Sequence, residues 1–357
     1  MSEITHDIVC LSSQPWADSM WTNKQHIMSR LAQRHRVVYV DHGFRSLPGY
    51  LYDHLRHAPL DVFEPKRLLA EGVYQQDESL WVASSWGPQP AYLLPVDSKI
   101  RNWVAYDLKL KFVKRFLRRK GMDEPIVWVY HPAFADAVDD IDGKLLVYDC
   151  VDEYTAFPNY EDVADWIAEK ERRLCEKADL VFTTSQALYD DKKKYNPEQT
   201  HLVHNVGDAD HFKQALEEST PVAEEVAALD GPVIGFVGAV SDYKLNEDWL
   251  LELARAKPDW EIVVIGPVGV SDPSTDVSAM KEAANIHLLG YRDYEDLPTY
   301  IKGFDVATIP YRINDYTRSV FPIKFFEFLA TGTPVVISAL PSLVDYYEEV
   351  SEVMRGQ

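Results

Sequence analysis

Ser319-Val-Phe-Pro-Ile-Lys-Phe-Phe-Glu-Phe-Leu-Ala-Thr-Gly-Thr-Pro-Val-Val336 passes from loop to helix to strand within one short stretch. Pro322 suits the first turn of a helix and Gly332 suits its C-terminal stop. The run Pro334–Ile337 (PVVI) is apolar and β-branched, which fits a buried strand. A helix handed straight to a buried strand marks a layered α/β fold. Lys324 and Glu327 are three apart and so share a helix face. Two readings of that pair stand side by side. It is either a surface ion pair worth a few tenths of a kcal/mol, or a pair at the helix start in which Lys holds a phosphate and Glu accepts from ribose hydroxyls.

The same rhythm extends in both directions. Pro232–Val237 (PVIGFV), Glu261–Ile265 (EIVVI), Ile286–Leu289 and Asp305–Ile309 (DVATI) are further strand-like runs before it. Toward the N-terminus lie Asp7–Ser12, Arg36–Asp41 (RVVYVD), Ile126–His131 (IVWVYH), Leu145–Asp149 (LLVYD) and Asp179–Thr183. Helical stretches such as Asn23–Gln33 and Asp162–Lys177 separate them. Alternation of this kind predicts parallel sheets covered by helices. It lapses between about Gly207 and Asp230, a segment rich in Glu and Ala. The expected organisation is therefore two α/β domains, residues 1–212 and 231–357, joined by a linker at 213–230. In open parallel sheets, ligands bind beyond the carboxyl ends of the strands, so the loops after the strands and the cleft between two such domains are the expected site.

Bulk properties exclude several classes. Among 357 residues, 36 Lys and Arg stand against 57 Asp and Glu, for a net charge of −21. So acidic a chain is no general nucleic-acid coat, and no nucleic-acid partner is expected. The start lacks a basic region and a long apolar run, so no signal peptide is expected. No run reaches the roughly 18 apolar residues of a membrane span. Cys10, Cys150 and Cys175 are odd in number and without zinc spacing, which reads as buried thiols in a reducing cytosol.

Three loops could hold a phosphate. Gly235-Phe-Val-Gly238 leads into Ser241 and Lys244, Gly266-Pro267 follows the next strand, and Gly290-Tyr291-Arg292 the one after. Glycines let backbone amides approach an anion, and a helix start favours negative charge. Each loop alone reads equally well as a tight turn. Three in succession would line one sheet edge, where a nucleotide could lie.

These segments resemble the GT-B glycosyltransferases, and in particular the family 4-like bacterial sugar transferases of teichuronic-acid and exopolysaccharide type. The resemblance is carried by Lys324, Glu327 and Gly332-Thr-Pro-Val-Val336, by Val147-Tyr-Asp-Cys-Val-Asp-Glu-Tyr154, and by Ala178-Asp-Leu-Val-Phe-Thr-Thr-Ser185. His204-Asn-Val-Gly-Asp-Ala-Asp-His-Phe212, Gly290-Tyr-Arg292 and Ile309-Pro-Tyr311 extend it over most of the chain. It implies two Rossmann-like domains facing a cleft, with the nucleotide sugar on the C-terminal domain and the acceptor on the N-terminal one. Glu327 would bind the ribose, and Lys324, Ser241 and Lys244 would face the diphosphate beside Gly238 and Gly266. Tyr291 and Arg292 would lie by the base. Two positions depart from the pattern. Ser319 stands eight positions before Glu327, where many such enzymes have a second Glu, and Ala239 follows Gly238 where an Arg is usual. The resemblance also implies more residues after Tyr347, so the donor domain is read as short at its C-terminus.

Glycosyl transfer needs charge stabilised on the leaving diphosphate and an acceptor hydroxyl held close. His131, Asp149 and Asp152 follow strands of the first half and are the candidate acid–base groups. A His before Pro also serves as a turn residue, and Asp152 also serves as a cap. Trp16, Trp21 and Asn23 follow the first strand and suit a sugar acceptor, or else pack under a loop. Asp208-Ala-Asp210 sits at the linker and reads as structural. No metal and no cofactor are expected.

Residues 101–120 carry eight cations against Asp107, a local charge of +7. Tyr106, Leu110, Val113 and Leu117 form an apolar stripe opposite Lys111, Lys114, Arg115 and Arg118. The stripe either packs in the core or docks on an anionic membrane, where each cation is worth about 1 kcal/mol. The combined expectation is a cytoplasmic, metal-independent, retaining enzyme that moves a sugar from a nucleotide-diphosphate sugar to a glycan or lipid-linked acceptor. A nucleotide-sugar epimerase of similar architecture and a non-catalytic nucleotide- or sugar-binding protein are the rival readings.

Overall fold

The computed structural model describes residues 6–12, 14–16, 21–41, 73–83, 110–111, 113–269 and 272–347. Residues 101–109 and Phe112 of the basic stretch lie outside them. The chain divides into two compact units. The first is Met1–Cys150 with Asp165–Phe182 and Lys192–His201; the second is Val151–Ala164 with Thr183–Asp191 and Leu202–Gln357.

The first sheet contains β1 (Asp7–Leu11), β2 (Arg36–Val40), β3 (Val73–Asp77), β4 (Leu80–Ala83), β5 (Ile126–Val129), β6 (Leu145–Cys150), β7 (Leu180–Thr183) and β8 (Thr200–Leu202), in the order β3-β4-β2-β1-β5-β6-β7-β8. β4, β2, β1, β5 and β6 pair in parallel. Beyond their first residues β1 and β2 are wholly buried, because helices cover both faces of a parallel sheet and every position must be apolar. β3 runs antiparallel to β4 and is polar and half-exposed, as an edge strand should be. Its sequence, VYQQD, lacks the apolar run that betrays the inner strands. The helix Ala164–Lys177 buries Ile167, Glu171, Leu174 and Cys175, a single stripe at helical spacing.

The second sheet contains β9 (Val233–Val237), β10 (Glu261–Ile265), β11 (Ile286–Gly290), β12 (Val306–Ile309) and β13 (Val335–Ile337), all parallel, in the order β11-β10-β9-β12-β13. β1, β2, β5, β6, β7 and the strands of the second sheet fall in the runs read from the sequence, whereas β3, β4 and β8 were not read there. Phe236, Leu250, Ile262, Val264, Phe325 and Phe328 are among the residues of the core around it. Residues 213–230 pack on this unit through Ala215 and Val226, both buried.

Both sheets reverse direction of growth at one place: β9 lies between β10 and β12, and β1 lies between β2 and β5. The chain leaves neighbouring strands toward opposite faces there and opens a crevice at their carboxyl ends. The residues that follow β9 and β12, and those that follow β1 and β5, thereby become the positions most able to meet a ligand.

Candidate active site

The loops after β9 and β10 are zipped together. The Gly238 amide donates to Ile265 O at 2.8 Å, the Val240 amide to Pro267 O at 3.0 Å and the Gly269 amide to Val240 O at 3.0 Å. Gly266 has φ +141°, and a Cβ there would stand 2.0 Å from the Gly238 carbonyl oxygen. The contact admits no side chain, so the two loops lie closer than any other residue allows. Ser241 is buried, and among the described residues no hydrogen-bond partner reaches its Oγ. Its carbonyl accepts from the amides of Lys244 and Leu245 and turns the chain into the crevice.

The loop after β12 closes on this turn. The Arg312 amide donates to Lys244 O at 2.8 Å, and the Asn246 amide to Pro310 O at 2.7 Å. Lys244 Nζ lies 4.8 Å from the centroid of the Tyr311 ring. Burial works against the Lys244 ammonium, but Tyr311, Tyr243 and the Asp152 carboxylate outweigh it and hold its pKa above the ordinary lysine value. Lys244 is therefore fully charged at neutral pH. Asn314 and Thr317 brace the loop reciprocally: the amide of each donates to the side-chain oxygen of the other, both at 2.9 Å. Ser319 is buried at the end of this loop.

The helix Ile323–Ala330 follows, with Pro322 in extended conformation at its N-cap. Lys324 Nζ approaches Glu327 Oε2 at 2.7 Å. The approach is ionic: no donor is aligned on Oε2 as a hydrogen bond, although Glu327 is only 2 % exposed. A buried carboxylate with a vacant acceptor position is costly unless a ligand completes it. The segment His204–Phe212 holds the helix from behind. His204 stacks on Phe321 with ring centroids 4.3 Å apart, and Asn205 Nδ2 donates to Phe321 O at 2.9 Å. A Cβ on Gly207 would stand 2.8 Å from the Glu327 amide nitrogen, so the turn presses its bare backbone against the helix at Glu327. Asp208 caps the short helix Ala209–Phe212, and Asp210 pairs with Lys213.

Asp152 belongs to this second unit. Tyr316 Oη lies 3.4 Å from Asp152 Oδ1, and Phe157 and Tyr243 pack edge-on against the Tyr316 ring. Burial, then Asp152, pushes the Tyr316 phenol well above its ordinary pKa, so it stays protonated and donates. Glu153, not Asp152, caps the following turn through the Thr155 amide. Arg292 donates to Tyr300 Oη, Leu289 O and Tyr291 O and pairs with Glu225. These contacts hold the loop after β11 and leave Tyr291 as its outward-facing side chain.

In the first unit, His131 is 2 % exposed, and its Nδ1 accepts from the Ala133 amide at 3.1 Å. That bond assigns the neutral ring a proton on Nε2, so Nε2–H is a donor. Asp149 takes its hydrogen bond from Trp128 Nε1 at 3.2 Å rather than from His131. Burial raises the Asp149 pKa from 3.8 to about 6 against the opposing effects of Trp128, Tyr130 and Lys24. Trp16 is packed between Trp21 and Tyr39, and its amide donates to Asp41 at 2.8 Å. Trp21 and the half-buried Asn23 beside it remain partly open.

The Asp149 shift predicts a pH dependence of stability. Below pH 3.8 the carboxyl is protonated whether folded or unfolded. Between about pH 4 and 6 the folded chain holds a proton that the unfolded chain has lost, so stability falls as pH rises and levels off above pH 6. The loss is about 3 kcal/mol at 1.36 kcal/mol per pKa unit. Urea unfolding at pH 4 and pH 7 should show Asp149→Asn gaining about that much relative to the unaltered protein as pH rises. Parallel pH profiles would mean that the carboxyl is solvated.

Comparison with known proteins agrees with this geometry. Residues 231–353, which hold the zipped loops and the Lys324–Glu327 helix, match the family described as glycosyl transferases group 1. The chain is a glycosyltransferase carrying a group 1 domain. It is 26% identical over 306 residues to the teichuronic acid biosynthesis glycosyltransferase TuaH of Bacillus subtilis (strain 168), covering 77% of this chain and 76% of that one. Among solved structures it is similar to sucrose-phosphate synthase from Thermosynechococcus elongatus (TM-score 0.66, 15% identity, 95% of this chain and 82% of that one). It is also similar to Anabaena HepE in complex with UDP and glucose (TM-score 0.60, 14% identity, 96% and 83%) and to WaaG, a glycosyltransferase involved in lipopolysaccharide biosynthesis (TM-score 0.59, 14% identity, 96% and 84%). The fold is GT-B, with two Rossmann-like units.

Several residues that pack around the candidate site carry no local signal. Tyr316, Tyr243 and Phe157 look like ordinary aromatics in sequence, and Gly207 is one glycine in a turn. In the basic helix at 110–120, Leu110, Val113 and Leu117 are buried in protein. Lys114 pairs with Asp140 at 3.2 Å, while Lys111, Arg115 and Arg118 are exposed. Leu110, Val113 and Leu117 of the apolar stripe are thus core, and among the described residues of the helix only charge is left to attract a surface. No helix among the described residues is long and apolar enough to cross a membrane, and none of their His, Cys, Asp and Glu side chains cluster as a metal site would require.

Proposed function

We propose that the glycosyltransferase is a hexosyltransferase that uses a nucleotide-diphosphate sugar held by the second unit, with the acceptor on the first. The supporting observation is Glu327: a buried carboxylate whose Oε2 meets the Lys324 ammonium at 2.7 Å but has no aligned hydrogen-bond donor among the described residues. A ribose diol fits that position, since its two hydroxyls donate to one carboxylate. Lys324 and Lys244 then face the diphosphate, and Ser241 Oγ supplies a further hydrogen bond. Their charge stabilises the diphosphate as its bond to the anomeric carbon breaks, so the reading is metal-independent. The acceptor oxygen attacks that carbon, and its proton passes to the departing phosphate oxygen. This is the retaining course, in which positioning matters more than a general base. His131, locked as an Nε2–H donor, fits sugar positioning better than proton abstraction.

The relative's name, which assigns it to teichuronic acid biosynthesis, supports a glycan or lipid-linked acceptor in the cell envelope. Lys111, Arg115 and Arg118 suit contact with the anionic inner face of a membrane from the cytoplasm. Thermal melting with UDP, GDP, dTDP, ADP and CMP tests the donor reading, because a ligand that binds only the folded state raises its stability. One nucleoside diphosphate should raise the melting temperature selectively. No shift with any of them would favour a non-catalytic sugar-binding protein.

A further inference from the structure

A segment from the first half of the chain is built into the second unit. Val151–Ala164 follows β6 directly and belongs to the compact unit of the second sheet. Aromatic packing fixes it there. The Phe157 ring stacks on Tyr154 with centroids 6.0 Å apart, meets the Tyr316 ring edge-on at 4.7 Å and lies 6.4 Å from Tyr243. Aromatic pairs favour such offset and edge-on contacts. The packing brings Asp152, a half-buried carboxylate, to the loops after β9 and β12, where Tyr316 Oη lies 3.4 Å from its Oδ1.

Asp152 thereby acts on Lys244. Its carboxylate joins Tyr311 and Tyr243 in holding the Lys244 ammonium charged, and joins burial in holding the Tyr160 phenol protonated. An anion in this place works against a site that only grips a diphosphate, because it repels the phosphates and takes up part of the Lys244 charge. Arg312, next to Tyr311 on the loop, does not offset it, since its guanidinium meets Asp248 at 3.2 Å and the Leu245 carbonyl at 3.2 Å. A carboxylate is, however, a strong acceptor for hydroxyl groups. The half-buried rings of Phe157 and Tyr243 beside it suit the apolar face of a sugar ring.

We propose that Asp152 is a specificity-determining residue of the donor site: its carboxylate accepts from hydroxyls of the transferred hexose and excludes a sugar that bears a carboxylate of its own. The inference rests on the donor reading above. With the ribose at Glu327 and the diphosphate between Lys324 and Lys244, the sugar lies beyond Lys244, on the side of Asp152. It names the substrate class as a nucleotide-diphosphate sugar with an uncharged hexose. A uronate would set a second anion against Asp152 while Lys244 is already shared with the diphosphate, and an unpaired charge of this kind is how a site rejects the wrong ligand. The competing account makes Asp152 only a counter-ion for Lys244 and an acceptor for Tyr316.

Calorimetric titration of the full chain at pH 7.5 and constant ionic strength separates the two. The probes are UDP, UDP-glucose and UDP-glucuronate, and in parallel GDP, GDP-mannose and GDP-mannuronate. Asp152→Asn keeps the shape and an acceptor for Tyr316 but no charge, and Glu153→Gln removes a carboxylate one residue away. The unaltered protein and Glu153→Gln should bind the hexose conjugate about tenfold or more tightly than the uronate conjugate of the same base. In Asp152→Asn that ratio should fall to about threefold or less, with affinity for the bare diphosphate unchanged or higher. Three results would overturn the proposal: the unaltered protein binds the uronate conjugate as tightly as the hexose conjugate, the ratio persists in Asp152→Asn, or Glu153→Gln lowers it as far. A ratio that persists while all three ligands of one base weaken together is the counter-ion account. Failure of the donor reading appears separately, as no binding of either set, and would remove this inference with it.

Discussion

Glu327→Ala should weaken binding of the selected nucleoside diphosphate about a hundredfold, with little change in the melting temperature of the free protein. The carboxylate accepts one or two hydrogen bonds from the ribose in the proposed complex, each worth about 1.5–3 kcal/mol because the acceptor is charged. A factor of a hundred corresponds to about 2.7 kcal/mol. Stability should change little because the partner left behind, Lys324, is already partly solvated, and its ammonium can turn to water. Glu327→Gln should recover part of the affinity, since the amide oxygen still accepts but carries no charge. Calorimetric titration reads both variants. Equal affinity in Glu327→Ala would remove the ribose assignment, and with it the main support for the donor site.

The largest effect on stability is expected in the first unit, at Glu171. Its carboxylate lies on the helix Ala164–Lys177 and is 3 % exposed; Lys192, 2 % exposed, reaches Glu171 Oε2 at 2.8 Å. Tyr148 donates to the other oxygen, with Cys150 Sγ 3.5 Å from the same atom. Glu171→Leu removes the counter-charge and leaves the ammonium in the interior, which costs about 3–5 kcal/mol. That is a large part of the roughly 5–15 kcal/mol that holds a domain folded. Adding Lys192→Met should restore most of it, because two apolar groups of similar size replace two desolvated charges. Urea unfolding of the single and double variants gives the coupling. Additive losses would show that the pair is not the stabilising unit.

Much of the fold was legible in the residues themselves. Parallel strands buried on both faces must be continuous apolar runs, so RVVYVD, EIVVI and DVATI announce strands and the helices between them follow. β3 was not legible, because an exposed edge carries little hydrophobic pattern. The helix bearing Lys324 and Glu327 was legible for the same reason as the strands: Pro322 and Gly332 bracket it, and three-residue spacing puts the pair on one face.

Sequence by itself determined the layered α/β class, the two sheets, the helix that bears Glu327 and the likeness to glycosyltransferases, because each depends on periodicity and order along the chain. Tertiary structure decided the rest. It joined Lys244 to Tyr311, Tyr316 to Asp152 and Gly207 to Glu327, residues between 67 and 164 positions apart in the first two cases, with only Cβ-free backbone admitted in the third. It placed Trp16 in the core. It also packed Leu110, Val113 and Leu117 of the basic helix into protein. Burial and pairing are properties of what surrounds a side chain, and the surroundings come from distant strands whose order no local pattern records.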